Sequence, residues 1–169
     1  VVGLSTGVQA ISVDFNQSCA LMTTGGVKCW GANGNGQLGD GTFTDRYLPV
    51  DVVGLTSGVQ AIAAGHAHTC ALTTTGGVKC WGLNSSGQLG IGTFGGCPTI
   101  TPVDVVDLST GVQAIVAGYR HSCAAMTAGG VKCWGSNAYG QLGDGTYTDQ
   151  CVPVNVIGLS RGGESADAS

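Results

Sequence analysis

The chain has 169 residues, a formal charge of -4 at neutral pH, and only 9% charged residues. Six basic residues, three of them (Lys28, Lys79 and Lys132) evenly spread, make no clustered cationic surface of the kind that displaces counterions from a duplex. This argues against direct nucleic-acid binding, and no run approaches the ~20 apolar residues that cross a bilayer as a helix. Glycine fills 31 positions, Val and Ile are prominent, and no window carries apolar residues at helical spacing over three turns. The reading is all-β, with short strands joined by glycine turns.

One stretch organises the chain. Gly25-Gly26-Val27-Lys28-Cys29-Trp30-Gly31, with Asn33 and Gly36-Gln37-Leu38-Gly39, returns from Gly76 to Gly90 and again from Gly129 to Gly143. The tryptophans fall at 30, 81 and 134, so the periods are 51 and 53 residues, long enough for one supersecondary unit each.

Val1 to Ser5 matches Val52 to Thr56, so residues 1–6 read as the end of a preceding repeat, and the chain as a piece of something longer. The first strand of each unit is expected at Gly7 to Ile11, Gly58 to Ile62 and Gly111 to Ile115. Small residues follow it (Ala63-Ala64-Gly65, Val116-Ala117-Gly118), which place it at the crowded inner edge. The second strand runs through Cys19, Cys70 and Cys123, and a Gly-Gly turn leads into the third. There Val27, Cys29 and Gly31 point one way while Lys28 and Trp30 point the other. A long glycine-rich loop precedes the fourth strand, expected at 49–53, 102–106 and 153–157. Its leading proline and the acids Asp51 and Asp104 suit a solvated outer edge. Four strands per unit at this period make propeller blades: 7–57, 58–110 and 111–160, with a disordered tail at 161–169.

The pattern Ala-Gly-x-x-His-[Ser/Thr]-Cys-Ala-Leu, followed by Gly-Gly-Val-Lys-Cys-Trp-Gly-x-Asn-x-x-Gly-Gln-Leu-Gly-Asp-Gly-Thr, resembles the regulator of chromosome condensation repeat, in a cysteine-containing, bacterial-type form. The resemblance spans Val1 to about Leu159 and implies three blades of a ring that in this family usually has seven. Three blades cannot close such a ring by themselves. Their outer faces are expected to meet missing blades of the parent chain or a second copy.

Six of the eight cysteines form a series: Cys19 and Cys29, Cys70 and Cys80, Cys123 and Cys133. Each pair straddles the Gly-Gly turn, and facing residues on such a hairpin lie within disulfide reach. Three bridges are expected, one per blade, against the readings of reduced thiols or of zinc, whose usual Cys spacing is absent. Cys97 and Cys151, in equivalent loops of adjacent blades, are expected to form a fourth bridge by parity. Such bridges imply a secreted, periplasmic or cell-surface location.

No catalytic set, cofactor cradle or metal site is read from the chain. His68 and His121 are equivalent, with Gln17 in the first repeat, so a side chain bonding loop backbone is the simpler reading than metal binding by His66 and His68. Asp40 and Asp144 follow Gly-Gln-Leu-Gly, but Ile91 replaces them in the second copy, so a turn role is expected. The function reads as a non-enzymatic scaffold for a protein partner. The candidate contacts are Phe43, Tyr47, Phe94, Tyr139 and Tyr147, in the loops that differ most between repeats. The alternative for Phe43, Phe94 and Tyr147, which are equivalent, is packing between blades. The family resemblance implies a second function, guanine-nucleotide exchange on a small GTPase.

Overall fold

A computed structural model describes residues 1–159. The tail expected at 161–169, and the last residue assigned to the third blade, lie outside the described residues. Twelve strands form three four-stranded antiparallel sheets, each a meander in chain order. The first holds β1 (Val8–Asp14), β2 (Gln17–Met22), β3 (Val27–Gly31) and β4 (Arg46–Asp51). The second holds β5 (Val59–Ala64), β6 (His68–Thr73), β7 (Val78–Gly82) and β8 (Thr99–Asp104). The third holds β9 (Val112–Ala117), β10 (His121–Met126), β11 (Val131–Gly135) and β12 (Gln150–Asn155). Neighbouring blades meet through their first strands, β1 against β5 and β5 against β9, which puts the small-residue strand at the inner edge, as the sequence implied.

The β2–β3 hairpin closes through Met22 N–H to the Gly26 carbonyl and Gly25 N–H to the Met22 carbonyl, both 2.8 Å. Gly25 has φ +79°, a conformation that costs glycine nothing. The same turn clamps the next blade's entry: Val27 N–H donates to the Leu55 carbonyl, and Val59 N–H to the Gly25 carbonyl. A Cβ on Gly26 would sit 2.6 Å from the Thr56 carbonyl oxygen, so only glycine lets the linker pass.

The outer strand differs from its expected bounds. Each of β4, β8 and β12 starts about three residues earlier, so Pro49, Pro102 and Pro153 lie within the strand rather than at its start. A register shift explains how this is tolerated. Cys29 pairs with Val50 but Gly31 pairs with Arg46, and the proline falls in the bulged stretch, where no ladder donor is required.

The apolar core lies between blades. Leu21, Val27, Leu38 and Val52 of the first blade bury against Val59, Ala71 and Trp81 of the second. Leu72, Val78, Leu89 and Val105 bury against Val112, Ile115, Ala124 and Trp134 in the same way. The alternation read for the third strand holds: Val78 and Cys80 face the following blade while Trp81 faces the preceding one. Each buried indole N–H donates backward, Trp81 to the Gln37 carbonyl at 2.9 Å and Trp134 to the Gln88 carbonyl at 3.0 Å. A Cβ on Gly39 would lie 2.7 Å from the Trp81 Nε1, and one on Gly90 2.8 Å from the Trp134 Nε1. The closing glycine of Gly-Gln-Leu-Gly is therefore the seat of the next blade's indole.

The three expected bridges are formed, Cys19–Cys29, Cys70–Cys80 and Cys123–Cys133, each with Cα atoms 4.1 Å apart across directly paired positions of the hairpin. The fourth is not: Cys97 and Cys151 are free thiols. Cys97 stands exposed in the loop before β8, while Cys151 lies within β12, whose carbonyl there accepts Gly92 N–H. Parity of the count puts them together, but their backbone settings differ.

Two measurements check this frame. Thiol titration of the denatured, unreduced chain is expected to find two free thiols, against eight for a fully reduced one. Trp81→Phe keeps an aromatic ring but removes the N–H, and is expected to lower unfolding free energy by about 1 kcal/mol in urea denaturation; Trp81→Ala is expected to cost roughly 3–5 kcal/mol.

Candidate protein-interaction rim

Two sets of loops share one end of each blade, the tight turn between the first and second strands and the long loop between the third and fourth. They are tied together by backbone bonds: Ala32 N–H to the Asn16 carbonyl, Leu83 N–H to the Ala67 carbonyl and Ser136 N–H to the Arg120 carbonyl. The three pairs of loops together form one rim.

The long loop is shaped by its asparagine. Asn33 Nδ2 donates to Asp40 Oδ1 (3.1 Å) and to the carbonyls of Thr42 (3.0 Å) and Thr44 (3.1 Å), while its Oδ1 accepts Leu38 N–H (2.9 Å). Asn137 repeats the set with Asp144, Thr146, Thr148 and Leu142. Burial alone would raise the Asp40 carboxyl, but hydrogen bonds from Thr42 and Arg46 outweigh it and hold its pKa below the usual value. Desolvation likewise pulls Asp144 upward, and bonds from Thr146, Asn137 and Gln150 bring it down. Both carboxylates are occupied inside their own loops, as a turn role requires. In the second blade Ile91 stands in the acid's place, and Asn84 keeps its bonds to the Thr93 carbonyl and to Leu89 N–H.

The five aromatic residues singled out in the sequence are all at least half exposed: Tyr47 94%, Tyr139 91%, Tyr147 77%, Phe94 52% and Phe43 51%. They are not interblade core. Only Tyr139 and Tyr147 come together, around an open hollow at Gly140 and Gly143. Phe94 and Tyr147 each lean over the first glycine of their own Gly-Gln-Leu-Gly loop, Gly87 and Gly140. Tyr47 projects from the outer strand β4.

A second aromatic group lies on the tight turns at the inner edge. Phe15, His66 and Tyr119 occupy equivalent positions in the three blades. The His66 ring meets Phe15 edge-on at 5.5 Å between centroids and stacks on Tyr119 at 4.2 Å. The Arg120 guanidinium carbon lies 5.5 Å from the Tyr119 ring centre, and Asp14 Oδ2 is 4.0 Å from His66 Nδ1. Phe15 is 82% and Tyr119 61% exposed, so the ladder is a surface feature that crosses all three blades. The signal is present in the sequence, as the first x of Gly-x-x-His, but three different ring types at one position do not look like a motif.

The histidines divide by role. Gln17 Nε2 donates to the carbonyls of Gly65 (2.7 Å) and His68 (3.0 Å), bonding backbone across the blade joint. His68, its equivalent, instead reaches a side chain: His68 Nε2 and Ser122 Oγ are 2.9 Å apart. Ser122 Oγ also lies within donating distance of the Gln88 carbonyl (3.1 Å), and the buried His68 Nδ1 has no partner among the described residues. Burial, with minor contributions from His121 and His66, pushes the His68 pKa down to about 3. Burial lowers His121 as well. Among the described residues, no three His, Cys, Asp or Glu side chains gather to hold a metal.

Three latched sheets with loops gathered at one end define a segment of a β-propeller. Profiles of the Regulator of chromosome condensation (RCC1) repeat match residues 9–37, 59–88 and 112–141, and in a second phase 24–72, 75–125 and 128–168. The chain belongs to that repeat family. It is 31% identical over 155 residues to the Ultraviolet-B receptor UVR8 of Arabidopsis thaliana, covering 90% of this chain and 35% of the receptor. It is 33% identical over 152 residues to the human Probable E3 ubiquitin-protein ligase HERC4, covering 88% of this chain and 14% of the ligase. Among solved structures, Prp20p of Saccharomyces cerevisiae superposes with TM-score 0.75 at 24% identity, over 89% of this chain and 38% of Prp20p, which shows a shared fold. The chain thus spans about a third or less of the curated relatives it matches.

His68 predicts a pH dependence. Its pKa is depressed on folding from 6.5, so the unfolded chain binds the proton first as pH falls. Stability is expected to be intact above pH 6.5 and to decline from there toward pH 3. His68→Gln, which places in blade two the residue blade one already uses, is expected to flatten that part of the curve in denaturant melts. An unchanged slope between pH 6.5 and 4 would assign the loss to other groups.

Proposed function

We propose that this chain is a non-enzymatic scaffold that binds a protein partner on the rim carrying Phe15, His66, Tyr119 and Arg120, with Tyr139 and Tyr147 as outlying contacts. The observation that carries the reading is the aromatic ladder. Its outer rings, Phe15 and Tyr119, are exposed and His66 between them is partly so, yet the three form a continuous aromatic strip with a cation at one end. Rigid aromatic rings and arginine are the side chains most often found as binding anchors. Two lysines elsewhere are paired on the outer strands, Lys28 with Asp51 and Lys79 with Asp104, each at 2.6 Å, which leaves little free cationic surface for a polyanion.

Proteins of the same fold bind other proteins. The yeast Prp20p structure is described together with binding to Gsp1p and histones, and another with Kap60 bound. The three stapled hairpins support an oxidising setting, at a cell surface or beyond it. Exchange on a small GTPase, the other function implied by the family resemblance, needs a reducing cytosolic or nuclear setting, and the bridges favour the scaffold reading over it.

The test is partner capture from extracellular or surface extract of the source organism, followed by titration of the captured protein against variants. Phe15→Ala with Tyr119→Ala is expected to weaken binding about tenfold or more while leaving the circular dichroism spectrum and melting temperature unchanged. Undiminished affinity in that folded variant would remove the ladder from the interface.

A further inference from the structure

Opposite charges stand at the two ends of the aromatic ladder, and the fold ties up neither of them. Asp14 closes β1 in the first blade with its side chain 38% exposed. Across the joint His66 Nδ1 lies 4.0 Å from Asp14 Oδ2, a partner for the carboxylate only when the ring is protonated. Arg120, exposed in the third blade, lies against the Tyr119 ring and meets no carboxylate among the described residues. By contrast, Lys28, Arg46 and Lys79 are each paired within their own blade, with Asp51, Asp40 and Asp104.

The charges are close but held apart. From Asp14 Oδ2 to His66 is 4.0 Å, from the His66 ring to Tyr119 4.2 Å, and from Tyr119 to the Arg120 guanidinium carbon 5.5 Å. With the width of the His66 ring, these steps keep carboxylate and guanidinium within about 15 Å, roughly the reach of four or five extended residues. The neighbours of the rings on the first two turns, Asn16 and Ala67, carry no charge. The strip therefore presents an acid, then rings, then a cation, in a fixed order across both internal joints. A partner that covers either charge without matching it leaves an ion desolvated and unpaired, which costs more than an exposed pair returns.

We infer that the ladder takes an extended segment of its protein partner that carries a basic and an acidic side chain about two to four residues apart, with an apolar residue between them. The base pairs with Asp14, the acid accepts from the Arg120 guanidinium, and the apolar residue lies over the His66 and Tyr119 rings. This rests on the rim being the partner surface, and it adds what the partner must carry there. The occupant is a length of chain rather than a small molecule because the rings form a ridge. Phe15 is 82% and Tyr119 61% exposed, so a compact ligand would stay mostly in water, whereas small-molecule sites enclose about 70–90% of their ligand. An extended segment reaches both charges and covers the rings on the way.

The test is selection of a random-peptide phage library on the folded chain at low salt, counter-selected on the chain carrying Phe15→Ala with Tyr119→Ala. Selected peptides are expected to share one base and one acid at that spacing around an apolar residue. They are expected to bind Asp14→Asn and Arg120→Gln about twofold to fivefold more weakly, the worth of one exposed ion pair. Asp14→Lys leaves a cation at each end and is expected to select peptides with two acids. Arg120→Glu leaves an acid at each end and is expected to select peptides with two bases. Circular dichroism and melting check that each variant is folded. Peptides that need Phe15 and Tyr119 but carry no such charge pattern, or a pattern unmoved by the two reversals, would overturn the inference and leave the rim as a binding surface. No enrichment over the doubly truncated chain would overturn both.

Discussion

The structure depends on one contact between blades, the indole N–H of one blade held by the glutamine carbonyl of the blade before it. A buried indole must find an acceptor, and a buried carbonyl in a loop must find a donor. Each blade supplies one of these on each face. The contact is also steric: the indole lies where a side chain would project from Gly39 or Gly90, so the loop can take it only as glycine. Most of the apolar core gathers around these rings, between sheets rather than within one. Stability of such an array is a sum over neighbouring joints, and a blade without a neighbour keeps only half of its core covered.

This explains which residues are repeated and which vary. Trp, Gln, Leu and the closing Gly belong to the joint, Asn (with an acid in the first and third blades) to the loop that presents the carbonyl, and the cysteine pair to the hairpin that carries the tryptophan. The bridges fix the register of the two middle strands, and register decides which way the indole points. The positions that vary sit at the rim, where nothing in the joint constrains them. There the Phe15, His66 and Tyr119 rings meet across blade boundaries, edge-on at Phe15 and stacked at Tyr119, which is the kind of freedom a binding surface uses.

Much of this is legible in the sequence, for physical reasons that can be named. The repeat, the four-strand unit and the three bridges follow from spacing along the chain, and a hairpin converts spacing into distance directly. The opposed faces of Lys28 and Trp30 follow from the period of a strand. Features that depend on a second blade are less legible. The Gln17 and His68 equivalence is visible, but not that His68 bonds Ser122 of the next blade. Counting pairs Cys97 with Cys151, and counting carries no geometry. A proline reads as a boundary, which starts the outer strands too late, whereas a bulge lets the strand run past it. The ladder escapes a reading by motif because its members are alike in shape but not in name.

The most direct test of the joint is hydrogen exchange of the three indole N–H protons, resolved by nitrogen-15 NMR. The account predicts slow exchange for Trp81 and Trp134, whose protons are bonded and enclosed, and faster exchange for Trp30, which is only partly buried. Exchange of Trp81 and Trp134 at the rate of a free indole would contradict it, because the blades would then not be latched through that carbonyl.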